Sequence, residues 1–91
     1  MNFAVVFNIS HSEEHQHHKV YEILEKEYNL KHYEIQEERK VLAPTTTVVG
    51  KNNNFKTAHE MAESIIDRFQ QEEITLDRIL VSRGNDYSLI G

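Results

Sequence analysis

The sequence predicts an α+β sandwich: a four-stranded antiparallel sheet, two helices on one of its faces and a short extra strand at the C-terminal end. Three observations predict it. Strand-like and helix-like patterns alternate in the order strand, helix, strand, strand, helix, strand. The first strand is apolar on both faces, as a central strand should be. The chain of 91 residues has room for one domain, 1–91, and no segment rich in Pro, Gly or Ser divides it.

Asn2 to Ile9 is rich in Val, Phe and Ile and reads as a strand. Phe3, Val5, Phe7 and Ile9 fall on one face; Ala4, Val6 and Asn8 fall on the other. A helix starts between Ser10 and Glu14, where Ser10 and Glu13 have capping-box spacing and Ser12 is an alternative cap. Its body runs to about Tyr28, with an apolar stripe of Val20, Ile23, Leu24 and Tyr28, and Asn29 is the stop. Leu30 to Lys40 reads as a strand, with Glu37-Glu38-Arg39-Lys40 as its charged end or a turn. Val41 to Gly50 reads as the next strand, because Thr45 to Val49 are β-branched. Pro44, which lacks an N–H, belongs at its start or at an edge. Thr57 and Glu60 have capping-box spacing ahead of Ala58, Met61, Ala62, Ile65, Ile66 and Phe69, so a second helix ends near Gln71 to Glu73. Asp77 to Arg83 is a strand, Gly84-Asn85-Asp86 a turn and Tyr87 to Ile90 a short final strand. Two strand–helix–strand halves joined by a hairpin make a ferredoxin-like βαββαβ sandwich, and right-handed crossovers put both helices on one face.

Composition excludes several classes. With no cysteine there is no disulfide framework, thiol nucleophile or cysteine zinc site, and a reducing cytoplasm suits the chain. No apolar run reaches the ~18 residues of a membrane span, and the first residues lack the basic region of a secretory signal. The net charge is −5, from 10 Lys and Arg against 15 Asp and Glu, which disfavours general nucleic-acid binding. Protonating the 6 histidines brings the chain close to neutral, so solubility should fall near pH 6.

The strand end Phe7-Asn8-Ile9-Ser10 resembles the Tyr/Phe-Asp-Ile/Leu strand end of the small subunit of the CRISPR adaptation complex and of the VapD-like and SinR-like proteins. The segment Leu42-Ala43-Pro44-Thr45-Thr46-Thr47-Val48-Val49-Gly50 is similar to a Ser/Thr-rich strand of SinR-like proteins. A helix opening on Thr-Ala-x-Glu, a strand of the Asp-Arg-Ile-Leu-Val type and a short last strand complete a resemblance over nearly the whole chain. It implies a symmetric dimer with facing sheets, in which the C-terminal strand extends the partner's sheet. It also implies that an aspartate ending the first strand binds a divalent metal for phosphodiester cleavage. Asn8 stands at that position, and a neutral amide carries no charge to hold Mg²⁺.

Four candidate sites follow from the residues. Asn8, Ser10 and His11 lie after the first strand near a helix start, where backbone N–H groups can receive an anion; capping and a turn explain the same residues. His11, His15 and His18 are spaced to share a helix face and to ligate zinc or nickel; a solvated first turn explains them equally. Lys51-Asn52-Asn53-Asn54 lacks phosphate-loop spacing and reads as a solvated loop. Tyr87, Leu89 and Ile90 are too apolar for a free tail: they form a dimer contact by adding a strand to the partner's sheet, or else fold back as a local hairpin and pack inside one subunit.

The expectation is a non-catalytic, homodimeric, cytoplasmic binding or assembly protein of the CRISPR-adaptation-subunit or SinR type. It carries no cofactor, no membrane contact and possible affinity for a further protein partner. One alternative is a metal-dependent endonuclease of RNA or DNA with a degenerate site at Asn8. The other is a metal-responsive module built on His11, His15 and His18.

Overall fold

A computed structural model describes residues 2–9, 14–42 and 46–91. Along them run β1 (Asn2–Ile9), α1 (Glu14–Tyr28), β2 (Tyr33–Gln36), β3 (Arg39–Leu42), β4 (Thr47–Lys51), α2 (Ala58–Gln71), β5 (Leu76–Arg83) and β6 (Asp86–Ile90). β4, β1, β5 and β6 form a four-stranded antiparallel sheet in that order, while β2 and β3 form a separate hairpin.

β1 is central, as its two-sided apolar pattern requires. Val5 lies opposite Val48 of β4 and Val81 of β5, and Phe7 lies opposite Ile79. These side chains share one face and are buried with Phe3. Val20, Ile23, Leu24 and Tyr28 of α1 and Met61, Ala62, Ile65 and Phe69 of α2 pack into the same core, so both helices cover this one face. Burying a side chain of Leu or Phe size contributes about 1.5–3 kcal/mol, so this single layer carries most of the stability.

The helix ends follow local chemistry. Asn29 takes a left-handed φ of 57°, and the Leu30 N–H turns back to donate to the Leu24 carbonyl at 2.9 Å. Thr57 caps α2, its hydroxyl accepting from the Glu60 N–H at 3.1 Å. The Glu60 carboxylate does not close the box on Thr57; it accepts from the Lys56 N–H at 3.1 Å, one residue earlier.

Two expected strands are divided differently in the structure. Glu37 and Glu38 adopt left-handed φ values of 48° and 65°, which makes a two-residue hairpin turn between Gln36 and Arg39. Val41 and Leu42 therefore belong to β3 instead of the strand before Gly50, and β4 starts at Thr47. Pro44 lies outside the described residues. The second expected strand is thus not part of the four-stranded sheet. It touches that sheet through an isolated bridge at Lys31, whose N–H donates to the Val49 carbonyl at 2.8 Å and whose carbonyl accepts from the Val49 N–H at 2.7 Å. The fourth sheet position is filled by β6, hydrogen-bonded to β5 of its own chain.

Candidate binding surface

The side of the sheet away from the helices carries the alternate residues of each strand. Ala4, Val6 and Asn8 of β1 lie beside Thr47 and Val49 of β4 and beside Leu80 and Ser82 of β5, and β6 adds Tyr87 and Leu89. Among the described residues Val6, Tyr87 and Leu89 are the large apolar side chains left exposed, at 42%, 71% and 61%. Ile90, grouped with Tyr87 and Leu89 from the sequence, alternates to the other side and packs partly buried against the core. The local hairpin is thus the geometry seen for the C-terminal segment, with Ile79 opposite Ile90 and Leu80 opposite Leu89.

Asn8 is exposed on this open face, opposite Arg78. The two residues border a small cavity of about 90 Å³ with Val6, Phe7, Leu80 and Leu89, and none of these six side chains is a carboxylate. A guanidinium beside a neutral amide repels a divalent cation, so what is described of this strand end offers no anchor for one. Ser10 and His11 lie outside the described residues, as does the side chain of His15. His18 is exposed and lines a cavity of about 690 Å³ between α1 and the start of β2, with Tyr21, Glu22, Glu25, Lys26, Lys31 and His32. Among the described residues no group of three or more His, Asp or Glu side chains is arranged to hold a metal ion.

The loop after β4 is more structured than its composition suggests. Asn52 is buried; its side-chain amide donates to the Tyr28 carbonyl at 2.9 Å and its carbonyl oxygen accepts from the Asn54 N–H at 2.8 Å. Nearby, the Asn29 side chain donates to the Lys51 carbonyl at 2.8 Å. Both asparagines tie the end of α1 to the end of β4, a role that no local sequence signal reveals.

A second clasp joins α2 to β6. The Ala58 N–H donates to the Asp86 carboxylate at 2.8 Å, His59 Nδ1 lies 3.1 Å from the Ser88 hydroxyl, and His59 Nε2 lies 2.5 Å from Glu63. The order serine, imidazole, carboxylate was not legible from the sequence because Ser88 sits on β6, far along the chain from His59 and Glu63 of α2. Ser88 is buried between the sheet and α2, where its hydroxyl meets the His59 ring. The helices are joined by Arg68, which donates from Nε and Nη2 to Glu27 and from Nη1 to Glu72, and by Lys19, 2.6 Å from Glu72. Hydrogen bonds from Lys19 and then Arg68 hold the Glu72 carboxyl below its usual range, and those from Glu27 and Glu72 push the Arg68 guanidinium higher.

A concavity lies where the hairpin meets the sheet. It is a groove of about 790 Å³, floored by Ala4 and Val49 and walled by Lys31, Tyr33, Lys51 and Ser82. Lys31 and Lys40 lie over the Tyr33 ring, at 5.7 and 4.5 Å from its centroid. Among the described residues no helix is long and apolar enough to cross a membrane. Comparison with protein-family models, with curated proteins and with solved structures found no match.

Proposed function

We propose that the chain is a non-catalytic binding or assembly protein that works as a homodimer through the open face of its sheet. The observation that carries this reading is the uncovered apolar surface of Val6, Tyr87 and Leu89 on a face that neither helix reaches. A stable monomer seldom leaves a whole apolar sheet face in water. A second copy fits better than an unlike partner because the apolar centre, Val6, Leu80, Tyr87 and Leu89, includes no carboxylate or cation that association would strand.

The scaffold is read here as a ferredoxin-like variant of the CRISPR-adaptation-subunit or SinR type, in which the second strand has parted from the sheet edge beside β4. The antiparallel bridge between Lys31 and Val49 supports that reading, since it lies where such a strand would pair. A cysteine-free chain suits a cytoplasmic setting. Light scattering during size exclusion tests the dimer. The native chain runs as a dimer at micromolar concentration, and Leu89→Asp, which puts a charge at the centre of the patch, runs as a folded monomer. A monomeric native chain overturns the reading. Cleavage of RNA or DNA that EDTA abolishes overturns its non-catalytic part.

A further inference from the structure

The groove between the hairpin and the sheet opens at the Asn2 and Lys51 end of the open face and borders the apolar patch at Ser82, which lies opposite Tyr87; Val6, Leu80 and Leu89 lie nearer the other end of β1. Its volume of about 790 Å³ falls within the ~300–1,000 Å³ of small-molecule sites.

Its charge runs against that of the molecule. The chain carries −5, yet the described residues lining the groove include Lys31 and Lys51 and no Asp or Glu. Lys40 adds a third ammonium at the Tyr33 ring. Among the described side chains no carboxylate pairs with Lys31, Lys40 or Lys51, although Lys19, Lys26 and Arg68 are all paired. Unpaired ammonium groups around a concavity raise the local potential and draw in anions.

The wall is also held in place. Lys31 is pinned by its two main-chain hydrogen bonds to Val49, and the Asn29 amide ties the same segment to the Lys51 carbonyl. The side chains of Asn2, Asn29 and Ser82 offer neutral donors around the rim, and Ala4 and Val49 offer an apolar floor.

We propose that this groove binds a small organic phosphate, its phosphoryl group on Lys31 and Lys51 and its apolar body on Ala4 and Val49. Two lysines, with no arginine in the lining, suit a compact, multiply charged oxyanion. A planar carboxylate is better matched by the fork of a guanidinium.

Titration calorimetry of the full chain with phenyl phosphate at low ionic strength tests it. The expected result is saturable binding that inorganic phosphate and benzoate reproduce only more weakly. Lys31→Gln and Lys51→Gln each weaken it about tenfold, the scale of one lost hydrogen bond to a charged group. Lys26→Gln, on the neighbouring cavity, leaves it unchanged, and added salt weakens it. Circular dichroism of the variants confirms that each is folded. No saturable binding, binding indifferent to both lysine changes, or equal affinity for benzoate overturns the assignment. So does affinity for an oligonucleotide that grows with its length while phenyl phosphate stays unbound.

Discussion

Gly50 is the residue on which the seam between the α1 end and β4 depends. A Cβ there would sit 1.9 Å from the Asn29 carbonyl oxygen and 3.2 Å from the Leu30 Cα, both main-chain atoms that cannot rotate away. Gly50→Ala should therefore cost about 3 kcal/mol, the upper end for overpacking, read as a lower urea midpoint. Glu72 makes a pH-dependent contribution. Its carboxyl is held below the usual range in the folded chain, so its contribution is present above the carboxylate range of the unfolded chain and is lost as pH falls through the folded value. Glu72→Gln should lower the urea midpoint at pH 7, with the difference from the native chain fading as pH falls below the ordinary carboxylate range. Arg68 stays charged throughout and supplies no part of that change.

At the scale of elements, α2 was the most legible segment. Its apolar steps of three and four gave the buried residues Ala58, Met61, Ala62, Ile65 and Phe69, and its cap at Thr57 is the one expected. Thr57→Ala should cost about 1 kcal/mol, measured by thermal or urea unfolding, because the Glu60 N–H then loses its acceptor. The hairpin was legible in part: the sequence offers Glu37-Glu38-Arg39-Lys40 as a turn or a charged strand end, and the turn takes Glu37 and Glu38 alone. A tight two-residue turn is normally signalled by Asn-Gly or Asp-Gly, and here Glu37 and Glu38 fill both left-handed positions. Without that signal the four charged residues read equally as a turn or as a strand end, which left Arg39 and Lys40 unassigned to β3. Asn52 was misjudged for a related reason: its burial depends on the carbonyl of Tyr28, far away in the chain.

For the whole molecule, the order of elements and the one-sided core were readable because period alone separates strands from helices and shows which strand is apolar on both faces. Pairing was harder. Strand order depends on which edges meet in space: the second strand touches the β4 edge at the Lys31 bridge alone, and β6 forms the opposite edge on β5. Of the candidate site, the apolar patch was legible in Tyr87 and Leu89, whereas the groove was not. Lys31, Tyr33 and Lys51 are scattered in sequence and converge only because the hairpin stands beside β4.

The bridge at Lys31 and Val49 divides the protein's resistance to opening into two parts. β2 and β3 pair with each other and reach the larger sheet through that bridge, while β1 is flanked on both sides by hydrogen-bonded neighbours. Secondary structure with few ties to the core opens without the rest of the fold. In native-state deuterium exchange the inter-strand amides of β2 and β3 should therefore exchange together, well ahead of those of Val5 and Val81, and at a rate that mild denaturant barely changes. Equal protection across both sheets would mean that the hairpin and the core unfold as one cooperative unit.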